Sequence, residues 1–154
     1  MSDNMGEKTM SDRRKLTRHE SREMVYKLLF AREFHRDADI NEFFNSFVED
    51  IEDIFGDYVR NTFLGTAEAE EKLDAEIEAA SIKWKMSRMS ISTRCALRLA
   101  AYEMTCTDLP AKIAINEALE IVKTYDDESA PAFVNGILNK IAREHGLITP
   151  PAGE

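Results

Sequence analysis

Chain breakers are scarce in this protein: its 154 residues include six glycines and four prolines, two of the latter adjacent at Pro150 and Pro151. Long stretches rich in Ala, Leu, Glu, Lys and Met run without interruption, which favours helix over strand. No strand pattern, repeat or low-complexity tract emerges, and the expected fold class is all-α. Cysteine is nearly absent too. Cys95 and Cys106 form no CxxC pair, and His19, His35 and His145 are scattered. A structural zinc needs about four clustered ligands, so no metal site is expected. The two thiols read as reduced cysteines of a cytoplasmic protein. No apolar run approaches the roughly 18 residues that a membrane span requires. The opening MSDNMGEKTMSD is polar and acidic, without the apolar stretch of a secretory signal, so a soluble cytoplasmic chain is expected. Also missing are GxGxxG, GxxxxGK[ST], HExxH and GxSxG. Acidic pairs such as Asp126-Asp127 sit on polar loops as solvated charge. No catalytic residue and no cofactor is assigned, and the chain reads as a non-enzyme.

Positive charge is the next shortage. The net charge is −9 with a pI near 4.9, which by itself argues against a nucleic-acid partner, because phosphate binding rests on Lys and Arg. The average conceals an asymmetry. Between positions 13 and 22, Arg13, Arg14, Lys15, Arg18 and Arg22 face one acid, Glu20. Positions 37–80 then carry fourteen Asp or Glu against Arg60 and Lys72 alone. A basic start is followed by an acidic flank.

What is present is a core. Hydrophobic residues make up 44% of the chain, enough to bury a sizeable interior. Residues 1–16 read as a flexible polar and basic arm, 17–146 as a helical domain with halves near 17–80 and 81–146, and 147–154 as a tail. Thr17-Arg18-His19-Glu20 has the form of a capping box opening a helix that carries Met24, Val25, Leu28 and Leu29. Arg18 and Arg22, four apart, share a face beside that stripe. Asp39 caps a second helix running from Ile40 through Phe43, Phe44, Phe47, Val48, Ile51 and Ile54, with a break at Gly56 and Asp57. A third helix is expected over about 58–80. Trp84 follows in a linking segment with room for a short helix. Ser90 or Ser92 caps the next helix, Asn116 caps NEALEIVKTY, and Ser129 caps a last helix with Pro131 in its first turn and Gly146 at its end. The total is a compact bundle of about six to seven helices.

A binding surface is the remaining source of function. The basic cluster has two readings: a solubilising arm, or phosphate contact by an arm feeding a helix N-terminus, whose N–H groups also favour anions. Single-stranded RNA additionally uses aromatic platforms, for which Tyr26, Phe30 and Phe133 are candidates beside their ordinary role in a core.

Four segments, in order, carry a resemblance. Ser21-Arg22-Glu23 with Val25, Leu28, Leu29 and Phe30 is similar to a basic opening helix of the pattern "ARE…aLy". Trp84, Arg88, Met89, Ser90 and Arg94 lead into Leu97-Arg98-Leu99-Ala100-Ala101-Tyr102-Glu103-Met104. Pro110 precedes Lys112-Ile113-Ala114-Ile115-Asn116-Glu117-Ala118, and Phe133-Val134-Asn135-Gly136-Ile137-Leu138 closes the series. Together they resemble the NusB family of transcription antitermination factors.

That resemblance implies two perpendicular helical subdomains. It also implies binding of boxA-type single-stranded RNA in ribosomal RNA leaders, jointly with NusE, a small-subunit ribosomal protein, within an RNA polymerase antitermination complex. Carried over, Arg18 and Arg22 match arginines of the RNA-contacting segment. His19 stands where many relatives have arginine, and Arg13, Arg14 and Lys15 offer compensation. Ser129 and Phe133 fall on the implied RNA face, and Phe30 and Thr93 near the implied NusE surface. Such relatives occur as monomers and as dimers, so a homodimer stays open. Arg98, Glu103, Asn116, Glu117 and Asn135 read as hydrogen-bond partners and caps that specify the fold. Two alternatives stand beside this reading: a protein-binding helical scaffold that never touches RNA, and a NusB-like accessory domain of an rRNA methyltransferase, for which the chain contains no methyl-donor-binding module.

Overall fold

The computed structural model describes residues 16–48 and 52–149, the side chains of 48 and 52–56 excepted. Within them lie seven α-helices and one short 3₁₀ turn, with no strand: α1 (Arg18–Arg32), α2 (Ile40–Val48), α3 (Glu52–Glu68), α4 (Glu70–Ser81), the 3₁₀ turn Met86–Arg88, α5 (Ile91–Cys106), α6 (Ala111–Tyr125) and α7 (Ala130–Glu144). The expected all-α bundle is what the chain forms.

α1 starts where its capping box predicts. Thr17 Oγ1 accepts the Glu20 N–H at 3.0 Å, and the Thr17 N–H donates to Glu20 Oε1 at 2.8 Å, so two otherwise orphan donors are satisfied. Ser90 does the same for α5 by accepting the Thr93 N–H at 3.0 Å. α7 ends in a Schellman motif. Gly146, at φ +68°, permits its own N–H to reach Arg143 O and the Leu147 N–H to reach Ala142 O.

Three boundaries differ from expectation. α2 is described as far as Val48, Ile51 lies outside the described residues, and Gly56 and Asp57 lie inside α3 rather than at a break; a glycine inside a helix costs only about 1 kcal/mol, which packing readily offsets. The helix expected over 58–80 is divided at Ala69, after which Glu70 and Asp74 meet arginines of α1 and α5. α6 starts five residues before Asn116, with Pro110 in the N-cap position. Burial of Ala111, Ala114 and Ile115 holds that extra turn, and Asn116 is an exposed mid-helix residue.

α5 is the central element, packed against α1, α3, α4, α6 and α7. It is buried nearly all round, including Cys95, Leu97, Leu99 and Met104, as a helix surrounded by others must be. One continuous core joins it to Val25, Phe44, Phe63, Ile77, Ile121 and Leu138. α3 approaches α5 at Gly65, where an added Cβ would lie 2.1 Å from Tyr102 Oη and 2.4 Å from its Cζ.

Two polar networks cross this core. In the first, buried Glu103 accepts from Arg22 Nε at 2.8 Å and from Tyr58 Oη at 2.7 Å. In the second, Arg98 donates to both carboxylate oxygens of Asp74, at 2.8 and 2.9 Å, and to Glu33 at 3.1 Å. Glu70 joins that second network by accepting from Arg32 and Arg36 at 3.0 Å each. Arg98 and Glu103 are thus the fold-specifying pairs expected of them, whereas Asn135 is exposed and serves only Asn139 on its own helix.

Two outcomes follow. Gly65→Ala displaces the Tyr102 ring and destabilises by about 1–3 kcal/mol; chemical denaturation should show that penalty shrink when Tyr102 is first truncated to Ala. For Glu70, burial pushes the carboxyl up, but hydrogen bonds from Arg36 and the charges of Arg98, Arg36 and Arg32 carry it down from 4.5 to about 2. A depressed carboxylate stabilises the fold above about pH 4.5 and loses that contribution as pH falls towards 2. Glu70→Gln should therefore lower stability at neutral pH and flatten the acid limb over that interval in urea melts.

Candidate nucleic-acid interface

The residues expected to bind fall into two groups along α1 and α7. Arg13, Arg14 and Lys15 lie outside the described residues. Arg18 is exposed in the first turn of α1, with its guanidinium carbon 4.0 Å from the centroid of the Tyr58 ring on α3. His19 is exposed beside it, its Nδ1 2.8 Å from Glu117 Oε1 of α6. The Glu117 hydrogen bond and charge hold the imidazole above its ordinary pKa, against a smaller opposing effect of desolvation. Arg22 is 5% exposed. Its charge is already consumed by Glu103, with Glu117 3.8 Å away, so direct phosphate contact is not open to it. Positions 18 and 22 share a helical face, but only Arg22 reaches the buried Glu103 of α5, and Arg18 stays exposed a turn earlier.

The second group converges. Thr93, Ser129 and Phe133 line one open cleft of about 390 Å³ between the start of α5, the α6–α7 loop and the start of α7. Thr93 is buried and donates its hydroxyl to Asp126 Oδ2 at 2.7 Å, joined there by Ser90 Oγ at 3.1 Å. Ser129 sits at the N-cap position but does not cap with its side chain; its hydroxyl and N–H both donate to Asp127 Oδ1, at 2.7 and 2.9 Å. Those hydrogen bonds pull the Asp127 carboxyl below its usual pKa. Phe133 is half-buried and forms part of the wall.

Phe30 is half-buried elsewhere on α1, tilted against Tyr26 at 6.3 Å and Phe34 at 5.8 Å, and does not line the cleft. Tyr26 is 3% exposed, stacked on Tyr125 at 5.3 Å with its hydroxyl 2.6 Å from Ser92 Oγ. It is a core residue, unavailable for stacking on a base.

Another part of the cleft lining was not expected as a site. Trp84, 47% exposed, and Arg88 line it, and Lys83 and Lys85 are exposed on the same segment. The backbone there is built for the placement. Ile82 adopts φ 65°, ψ −52°, and the Lys83 N–H bonds to Ser81 O at 2.6 Å. This tight positive-φ γ-turn is strained for a β-branched residue, and such strain gathers at functional positions. Ser81 Oγ then bonds both the N–H and the carbonyl of Trp84, fixing it after the turn. The alternation of cations with an aromatic in Ile82-Lys83-Trp84-Lys85 was the available signal, since stacking platforms flanked by positive charge suit single-stranded nucleic acid.

Comparison with known proteins agrees with this architecture. The NusB family model matches residues 19–143. The transcription antitermination protein NusB of Clostridium perfringens is 39% identical over 132 residues, covering 82% of this chain and 96% of the relative. That of Anaeromyxobacter dehalogenans is 40% identical over 143 residues, covering 93% and 96%. Among solved structures, T. maritima NusB superposes with a TM-score of 0.76 at 36% identity, over 85% of this chain and 94% of that one. A chain from a complex of antitermination factors NusB and NusE with double-stranded RNA superposes with a TM-score of 0.69 at 25% identity, over 84% and 99%. The chain belongs to the NusB family.

Proposed function

We propose that this chain is an RNA-binding transcription antitermination factor which, together with NusE, engages boxA-type single-stranded sequence in ribosomal RNA leader transcripts and joins the RNA polymerase antitermination complex. The observation that carries the reading is the cleft. Ser129 and Phe133, expected at the RNA face, meet Trp84 and Arg88 around one opening, whose lining also includes Thr93, the residue expected near NusE. Bases stack on such surfaces irrespective of identity, and the flanking Lys83, Lys85 and Arg88 offer phosphate contacts. The likeness to a NusB held with NusE and RNA supports the same partners here.

RNA would extend from the cleft towards the start of α1, where Arg18 stands. Arg18 and Tyr26 are separated by roughly 12 Å along the helix axis. On that path it meets Glu23, Glu117 and Glu120, while Asp126 and Asp127 sit at the cleft. So acidic a surface cannot hold a polyanion tightly alone, and a basic ribosomal protein supplies the missing charge.

Labelled boxA-type leader RNA, titrated at two salt concentrations, should bind weakly to the chain and tighten about ten-fold or more when NusE is present, within the range of ordinary coupling between sites. Equal affinity with and without NusE defeats the cooperative reading. Failure of any RNA to bind, with NusE still captured, favours the protein scaffold. In the ternary titration, Trp84→Ala and Phe133→Ala should each weaken RNA binding by about 1–3 kcal/mol and leave NusE binding unchanged. Arg88→Gln should reduce the salt slope by about one.

A further inference from the structure

Arg18 and Arg22 look equivalent in sequence, yet the structure gives them opposite surroundings joined by a single ring. Glu103, 4% exposed in the last turn of α5, accepts from Arg22 Nε at 2.8 Å on one carboxylate oxygen and from Tyr58 Oη at 2.7 Å on the other. The Tyr58 ring is thereby anchored at its hydroxyl to a carboxylate that cannot move without breaking a buried ion pair. Against the same ring lie the guanidinium carbons of both arginines, Arg22 at 5.7 Å and Arg18 at 4.0 Å from the centroid.

A free arginine on a helix start samples many rotamers, and holding one of them for a ligand is entropically unfavourable. Seating the guanidinium over an aromatic ring removes that freedom while leaving the N–H fork clear for the bidentate geometry a phosphate offers. Among the described residues Arg18 makes no ion pair. Its neighbour His19 is turned towards Glu117, and Glu20 closes the capping box with Thr17. Arg18 is therefore the described cation of this turn that is both positioned and uncommitted.

We infer that Tyr58, held by Glu103, is a positioning residue for RNA binding: its ring presets the Arg18 guanidinium for a backbone phosphate. The inference rests on the reading that Arg18 meets RNA. It assigns a binding role to a tyrosine on α3 that itself need not touch the ligand, and it makes Arg22 a support rather than a contact.

The test uses the full chain with saturating NusE and a boxA-type RNA oligonucleotide. Arg18→Gln should weaken RNA binding about ten-fold and lower the salt slope by about one. Tyr58→Leu, which removes the ring, should weaken it roughly two- to five-fold, whereas Tyr58→Phe, which keeps the ring, should retain most of the affinity. In the Arg18→Gln background, Tyr58→Leu should add nothing to the loss of RNA binding, although it still lowers thermal stability. An equal further loss in that background would mean general structural damage and overturn the inference. If Arg18→Gln leaves affinity unchanged, the phosphate contact itself fails, and the positioning role with it. Should Tyr58→Leu not fold, the Arg18 side-chain N–H resonance of the unaltered chain decides. A ring-current shift that Tyr58→Phe preserves supports the seating, and a random-coil position rejects it.

Discussion

A carboxylate in the middle of a helix bundle is tolerable only if every lone pair it exposes finds a donor. Glu103 is that carboxylate here, and its two donors come from helices far apart in sequence, Arg22 on α1 and Tyr58 on α3. The requirement fixes how α1 and α3 lie against α5. Removing either donor leaves charge buried without compensation, so the three helices keep one relative register. Arg98, five residues earlier along the helix than Glu103, imposes the same demand on a different face of α5, where Asp74, Glu33 and Glu70 answer it. Apolar burial supplies most of the driving force in such a core but little directional information. These two charged centres supply the direction.

Much of this was legible beforehand, and the failures have physical causes. Helix starts set by local chemistry were correct at Thr17 and Ser90, because a cap is a contact between residues three apart. Boundaries set by tertiary burial were not. Asn116 is a good cap by type, yet the helix extends upstream of it because Ala111, Ala114 and Ile115 have a core to enter. Gly56 looked like a stop and is a helical residue. The burial of Arg22 could not be inferred from periodicity, since its partner stands 81 positions away on another helix. Trp84 was visible as part of a family pattern but not as a cleft wall, because its exposure depends on the strained turn at Ile82.

The charge distribution connects fold to function. The acidic excess between 37 and 80 is not idle: half-buried Glu70 and Asp74 neutralise Arg32 of α1 and Arg98 of α5, and Glu70 also pairs with exposed Arg36. Arginines used this way are lost to RNA. The cations left outward-facing around the cleft are few, Lys83, Lys85 and Arg88, and Asp126 and Asp127 are close by. Stability and nucleic-acid affinity thus draw on the same small set of positive charges, which is why a partner bearing its own cations suits this surface.

Arg18 and Arg22 illustrate the division within a single helical turn. They are the same residue type, four positions apart on one face, and both match arginines of the family's RNA-contacting segment. One lies where α5 presents a carboxylate and is drawn inside; the other lies a turn nearer the N-terminus, beyond that carboxylate, and rests on the aromatic ring that the carboxylate holds. The inner pair immobilises the ring, and the ring restrains the outer arginine. A buried ion pair that contributes little net stability can in this way still govern the geometry of a surface cation, which ties the structural constraint at Glu103 to recognition at the helix start.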